Sequence, residues 1–470
     1  MSLIGFYLMP HPPIIIPEVG RGEEEKISAT SDSMHRVGRE IAEKAPDTII
    51  LITPHGPMFR DAVAISMGDS IGGSLRQFNA GSVSMDIPID TALTSKIFEM
   101  SQGESIPAVS LTPKLLKRYD AEFTLDHGSM VPLYFINMYY TGYKLVHITY
   151  APLGDHQLYR FGTVIRKAAE ALKRRAVIIA SGDLSHRLTE DGPYEYDPDG
   201  RRFDEQFLHL LEAGDVKALL NMDRRLVDNA GECGRRSVLV MLGALDGLRF
   251  KGDLLSYEGP FGVGYGVMRL APEGGCDSLV PELEEMRRKA IAEKLDQADP
   301  YVRLARESLT TYLETGSEMT HLPDYVTDEM KKERRGVFVS LKKHGDLRGC
   351  IGTIEPITDC VAREIIRNAI EAGIYDPRFY EVEKDELVDI DFSVDVLTEP
   401  ESAVKEELDP RVYGVIVRSG RKRGLLLPDL EGVDTVDKQI TIALQKAGIN
   451  AGEKYELMKF RVIRHTENQG

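Results

Sequence analysis

Ile4-Gly5-Phe6-Tyr7-Leu8-Met9-Pro10-His11-Pro12-Pro13 is the stretch from which the fold is read. An apolar run of strand character drives straight to a histidine, and prolines on both sides end anything regular. The design recurs at Thr48-Ile49-Ile50-Leu51-Ile52-Thr53-Pro54-His55-Gly56-Pro57. Between the two, Ile27, Met34, Val37 and Ile41 fall at helical spacing and the pattern stops at Ala45-Pro46, so 4–56 reads as a β-α-β unit. Each strand delivers a Pro-His to its C-terminal end, the edge of an α/β sheet where ligands bind. A single histidine there reads as a polar strand cap. Two on parallel strands make metal ligation an equal alternative, since imidazole is the commonest protein ligand for metals.

The theme returns at Ala176-Val177-Ile178-Ile179-Ala180-Ser181-Gly182-Asp183-Leu184-Ser185-His186, a buried strand running into a polar loop. Leu125-Asp126-His127-Gly128-Ser129-Met130-Val131-Pro132-Leu133 reads as a loop leading into an apolar stretch. His147 lies inside the strand 144–150 and reads as a satisfied sheet residue. Ala230-Gly231-Glu232-Cys233-Gly234-Arg235 opens an apolar helix. The Gly-rich run 257–266 lacks phosphate-loop spacing and reads as a tight turn before a closing strand at 267–270.

Four histidines thus sit in loops, His11, His55, His127 and His186, accompanied by Asp126, Asp183 and Glu232. Two imidazoles and a carboxylate on one face of a metal form the triad of non-haem Fe(II) oxygenases. His11 and His55 are the expected imidazoles and Glu232 the expected carboxylate. His186 is the expected general base, because a pKa near neutrality suits that task. His127 would orient substrate, and Asp183 would fix the tautomer of a neighbouring histidine by accepting its N–H.

The chain has 470 residues, enough for two or three domains, with 42% hydrophobic and 28% charged residues. A net charge of −17 argues against nucleic acid as a partner. No basic segment followed by an apolar run opens the chain, and no run reaches membrane-spanning length, so no membrane association is expected. The cysteines Cys233, Cys276, Cys350 and Cys360 are too sparse for a disulfide framework and show no Cys-x-x-Cys spacing. A reducing cytoplasm is the expected location. The texture changes after Ala271-Pro272, and three segments are expected: a domain at 1–272, a charged helical linker at 273–298, and a domain at 299–470. The first reads as α/β, a mixed sheet flanked by helices. The second reads as α+β with a mostly antiparallel sheet.

Residues 1–270 resemble the LigB family, the catalytic subunits of class III extradiol ring-cleavage dioxygenases, and the related Memo family. The matching pieces are His11 after the first strand, Pro54-His55-Gly56, Asp126-His127-Gly128 with Val131-Pro132-Leu133, and Ser181-Gly182-Asp183-Leu184-Ser185-His186. The resemblance implies Fe(II) held by His11 and His55, His186 as base, His127 beside a small-molecule substrate, and oxidoreductase activity. The dioxygenases place a Glu as third ligand, whereas Memo-like proteins place a Cys in Cys-Gly-Arg. This chain carries both, in Glu232-Cys233-Gly234-Arg235. Neighbours at a helix start point about 100° apart, so one of the two ligates. Glu232 implies oxygen-dependent opening of a catechol-like ring. Cys233 softens the site toward zinc, copper or thiolate-bound iron, without implying dioxygenase activity. Cys233 also has a purely structural reading, as a small residue packing the helix start.

Residues 300–468 resemble the AMMECR family through Leu347-Arg348-Gly349-Cys350-Ile351-Gly352, Asp376-Pro377-Arg378-Phe379 and Gly424-Leu425-Leu426-Leu427-Pro428. The whole chain resembles the protein A family of the AmmeMemoRadiSam system, which implies Memo-like and radical SAM proteins as partners. It also implies an alternative to catalysis, a metal-bearing docking module. Arg348 beside Cys350 would make the thiol more nucleophilic, and His344 in the preceding turn would complete a Cys–His pair. Against this, strand alternation reads Cys350 as a small buried residue, with the glycines allowing close backbone approach at a bend or bulge. Asp376, Arg378 and Glu381 form a charged cluster that reads either as a ligand site or as solvated surface.

Overall fold

A computed structural model describes residues 2–343, 346–430, 432–450 and 452–467. The chain divides into two compact units, Met1–Leu283 and Glu284–Gly470. The strands of the first are β1 (Leu3–Met9), β2 (Thr48–Thr53), β3 (Val63–Ser66), β4 (Ser70–Leu75), β5 (Ala80–Pro88), β6 (Ala108–Leu111), β7 (Lys144–Thr149), β8 (Ala176–Ser181), β9 (Leu248–Glu258) and β10 (Tyr265–Gly275). Eight of them form one mixed sheet in the order β6-β3-β7-β2-β8-β1-β10-β9, while β4 and β5 pair as a separate hairpin. The central strands β7, β2, β8 and β1 are parallel, and β10 joins β1 antiparallel. The β-α-β expectation holds for direction, but β1 and β2 are not neighbours, because β8 lies between them.

Every residue of β2 and β8 is buried, which is why these strands read as unbroken apolar runs rather than alternating ones. Alternate side chains feed two cores, one on each face. Phe6, Leu8, Ile50, Ile52 and Ile178 pack with the helices Asp155–Ala171 and Arg235–Ala244. Tyr7, Met9, Ile49, Leu51 and Ile179 pack with Ser28–Lys44 and His127–Asn137.

The stretch expected as a loop at 125–133 is this last helix. Asp126 caps it, accepting the Ser129 N–H at 3.1 Å, and Pro132 sits inside it. The strand β9 was also not legible, since its apolar residues are interleaved with charges at a sheet edge. The strand β10 runs past the expected boundary at 272 to Gly275. The expected linker is largely one helix, Val280–Gln297, whose Leu283 belongs to the first unit's core and whose Ile291 packs on the second's. No helix among the described residues is long and apolar enough to cross a membrane.

The second unit has two antiparallel four-stranded sheets. One is ordered β12 (Asp346–Thr353), β11 (Val337–Lys343), β13 (Ile390–Leu397), β18 (Val462–Thr466). The other is ordered β14 (Glu401–Ser402), β17 (Glu456–Phe460), β15 (Gly414–Ser419), β16 (Lys422–Leu426). Helices Pro300–Thr315 and Val361–Ile374 cover the first sheet, and Val436–Ala447 covers the second.

The helix that begins just after Cys233 is pressed against Asp155–Ala171 through two glycines. A Cβ on Gly243 would lie 1.8 Å from the Tyr159 carbonyl, and one on Gly162 would lie 2.0 Å from that of Val240. Gly243→Ala is therefore expected to destabilise the unit by about 1–3 kcal/mol. Urea denaturation checks this as a lowered midpoint at unchanged slope.

Candidate metal centre

Because β2, β8 and β1 lie side by side and parallel, their C-terminal ends deliver three loops to one place. Met9 pairs with Ser181, so the residues two beyond them, His11 and Asp183, face each other across the loops. Asp183 Oδ1 accepts the His11 backbone N–H at 2.8 Å. The Asp183 hydrogen bond thus goes to the His11 main chain, its Oδ2 stands 3.8 Å from the ring Nε2, and Ser181 holds the ring at Nδ1.

The Ser181 contact fixes a proton. Pro132 has no N–H, so the Gly128 carbonyl four residues earlier has no helical partner. That carbonyl accepts the Ser181 hydroxyl proton. With its one proton committed, Ser181 Oγ accepts from His11 Nδ1 at 2.9 Å. His11 is thereby held as the Nδ1–H tautomer, with the bare Nε2 pointing at His55 Nε2, 3.0 Å away.

Cys233 reaches the same spot because Gly182 and Gly234 allow their backbones to touch; a Cβ on Gly182 would lie 2.0 Å from Gly234 Cα. Cys233 N–H donates to the Asp183 carbonyl at 3.3 Å, and the Asp183 N–H donates back to Sγ at 3.3 Å. Sγ is then 3.7 Å from His11 Nε2. Ligand atoms of His11, His55 and Cys233 all lie within 4.8 Å of one another. Glu232 is turned elsewhere: its carboxylate accepts the Arg235 N–H at 2.5 Å, capping the helix, and it is not in that group. Donors bonded at 2.0–2.3 Å to a tetrahedral ion stand about 3.3–3.8 Å apart. The His11–Cys233 distance falls in that range, the His11–His55 distance of 3.0 Å is shorter, and the group as a whole spans up to 4.8 Å, so an ion would be held after the side chains adjust about the bare Nε2.

His127 is the first residue of its helix and stacks on His55, centroids 4.2 Å apart, with Phe78 edge-on at 5.5 Å. His186 follows β8 and stacks on Tyr194 at 5.4 Å. Burial holds all four rings below the ordinary histidine range, reinforced by neighbouring imidazoles at His11, His127 and His186, with the latter two pushed down to about 4. Burial also pushes the Asp183 carboxyl up to about 7 and raises the Cys233 thiol, to which Asp183 adds. A cleft of about 860 Å³ opens beside His55 and His127, with Arg76, Gln77, Phe78 and Glu122 among its lining. Sequence reasoning missed Ser181, Phe78, Tyr194 and Arg76. A proline inside an apolar helix was the one available signal for the first.

In the second unit the candidates are engaged structurally. Arg348 binds Glu386 (2.8 Å) and the carbonyls of Tyr380 and Glu381, so its charge is spent away from the Cys350 thiol. Asp376 accepts the Cys350 N–H (2.9 Å), and Arg378, paired to Asp376, donates to the Cys350 carbonyl (2.8 Å). These two side chains bind the open edge of β12 as a neighbouring strand would. Cys350 is half-buried, with Ser340 donating to its sulfur at 3.2 Å. Gly349 permits close approach, since a Cβ there would lie 2.1 Å from the Ala372 carbonyl, and the register shifts at Leu341/Lys342. His344 lies outside the described residues.

Residues 5–268 match the catalytic LigB subunit of aromatic ring-opening dioxygenase, and residues 302–468 match AMMECR1. Protein CA_C1420 of Clostridium acetobutylicum is 61% identical over 468 residues, covering 100% of both chains. A Thermotoga maritima protein is 47% identical over 169 residues, 35% of this chain and 97% of its own. Among solved structures, protein PH0010 of Pyrococcus horikoshii is 30% identical, covering 36% of this chain and 90% of its own, with a TM-score of 0.33. Protein JW3007 of Escherichia coli K12 is 13% identical, covering 57% and 99%, with a TM-score of 0.39. The LigB match spans more than half of the chain, and the clostridial relative aligns across both domains. The chain belongs to the LigB family and carries an AMMECR1 domain fused behind its LigB domain.

Proposed function

We propose that the LigB domain is a metal-dependent oxidoreductase centre in which His11, His55 and Cys233 hold the ion and a small aromatic substrate enters through the cleft beside His55 and His127. The observation that carries this reading is the convergence of two imidazole nitrogens and one thiol sulfur within 4.8 Å, with the Glu232 carboxylate committed to a helix terminus. Iron(II) bound there supplies redox and Lewis-acid chemistry, and the thiolate also suits zinc or copper.

The chain's own residues prepare the rest. Ser181 presents the bare nitrogen of His11, and the Asp183 N–H donates to sulfur, which favours the thiolate form. His127 and His186, held at about 4 by burial, are neutral at pH 7 and can accept a hydrogen bond from a phenolic hydroxyl; this makes His186 a weaker base than the near-neutral pKa expected of it. Phe78 and Tyr194 offer aromatic faces against these two rings. Arg76 is exposed at the cleft and has no ion-pair partner among the described residues, so it suits an anionic substituent on the ring.

Cys233 also favours a second reading. A thiolate in place of the dioxygenase carboxylate is the Memo-like arrangement, and a metal-bearing module that partners a radical SAM protein follows from it. Oxygen uptake by the Fe(II)-loaded protein on a panel of catechols separates the two: consumption supports the oxidoreductase, and tight metal binding without consumption supports the module.

Anaerobic metal loading is expected to give a bound ion that is lost in His11→Ala, His55→Ala and Cys233→Ala and kept in Glu232→Ala. Loss in Glu232→Ala with retention in Cys233→Ala would contradict the ligand set. Ser181→Ala frees the His11 tautomer and should weaken metal affinity by about 10-fold, read by competition with a chromophoric chelator. If catechols are turned over, Arg76→Ala should raise KM for a carboxylated catechol by about 10-fold or more at nearly unchanged kcat.

A further inference from the structure

His147 was expected to be an ordinary buried sheet residue, and it is buried, 1% exposed, with both ring nitrogens satisfied. Its partners nonetheless lead to the site. We infer that His147, Asp126 and Thr53 form a positioning relay that sets how His55 approaches the metal and where His127 stands beside it, with His147 as its anchor; this rests on the metal-centre reading above.

The proton directions along the relay follow from the donor count. Ser129 Oγ donates to Asp126 Oδ2 at 2.9 Å. Having given its proton, it accepts from His147 Nε2, 2.9 Å away, so Nε2 carries hydrogen. The same Nε2 lies 3.2 Å from Asp126 Oδ2, and Ser66 Oγ holds Nδ1 at 2.8 Å. On the other carboxylate oxygen, Thr53 Oγ1 donates at 2.6 Å and the Ser129 N–H at 3.1 Å. Thr53, its proton also spent, accepts the His55 N–H at 3.2 Å. Asp126 thus receives three full donors, from the Ser129 hydroxyl, the Thr53 hydroxyl and the Ser129 N–H, with the His147 Nε2–H shared between it and Ser129.

The relay ends on two imidazole-bearing backbones. Through Thr53 it holds the main chain of His55. Through the cap on Ser129 it fixes the start of the helix whose first residue is His127. Two glycines let these parts meet: a Cβ on Gly128 would lie 2.6 Å from Thr53 Oγ1, and one on Gly56 would lie 2.1 Å from Thr149 Oγ1. The His55 and His127 rings stack at 4.2 Å, so a shift at Asp126 moves both. A buried network of this kind can also serve stability alone, and the test separates the two roles.

Full-length protein is titrated with Co(II), reading affinity and the visible absorption bands, for wild type, His55→Ala, His147→Leu, His147→Gln and Thr53→Val, alongside melting curves. His55→Ala should lose binding. His147→Leu and Thr53→Val should weaken Co(II) affinity by about 10–100-fold and alter the bands. His147→Gln, whose amide can donate to Asp126, should recover most of both. If His55→Ala binds Co(II) like wild type, the metal-centre reading fails. If His55→Ala loses Co(II) while Thr53→Val and His147→Leu keep wild-type affinity and bands, the relay is overturned, whatever happens to melting. Should His147→Leu fail to fold, Thr53→Val decides alone, since it removes the link between Asp126 and the His55 main chain and leaves His147 and Ser129 in place.

Discussion

Everything at the centre depends on β8 lying between β1 and β2 in a parallel register. Parallel strands end at the same edge, so this one topological choice gathers His55, His11 and the 181–186 loop without any long-range side-chain contact. The cost is that all three strands are buried on both faces, which the Ile, Val and Leu runs supply. Once the strand ends are fixed, the loops need only short, directed contacts to finish the site. The Gly182–Gly234 contact does this for Cys233, and the Met9–Ser181 pairing does it for His11 and Asp183.

Hydrogen-bond capacity then determines which nitrogen carries the proton in His11 and in His147. A serine or threonine has one proton to give, and at Ser181, Ser129 and Thr53 that proton is already assigned. The remaining direction is forced in each case. A proline in the helix that carries His127 leaves one carbonyl free, and the consequence reaches the Nε2 of a histidine on another strand. Low polarity sharpens these constraints, because an unsatisfied buried group there costs on the order of 1–3 kcal/mol.

Much of this was legible in the chain. The apolar runs ending at His11, His55 and His186 revealed the strands and their polar ends. The choice between Glu232 and Cys233 was not legible, because two adjacent residues at a helix start differ only in direction. That direction is set by the Asp183 backbone and the Arg235 N–H, neither of which announces itself in sequence. The helix at 127–137 was hidden by its proline and by an apolar surface on all sides. The hydrogen bonds around His147 were invisible because its partners lie on separate segments of the chain. In the second unit, Asp376, Arg378 and Glu381 were legible as a charged cluster open to a ligand or to solvent, but that Asp376 and Arg378 bind the edge of a strand depends on distances that only the fold provides.

The central claim is that Cys233, and not Glu232, completes the metal site with His11 and His55. The most direct measurement is the near-ultraviolet spectrum of the Co(II)-substituted protein, where thiolate coordination gives an intense charge-transfer band that carboxylate coordination does not. The band is expected in wild type and in Glu232→Ala and absent in Cys233→Ala. A Co(II)-bound wild-type protein without it, or a Cys233→Ala variant that keeps it, would contradict the account.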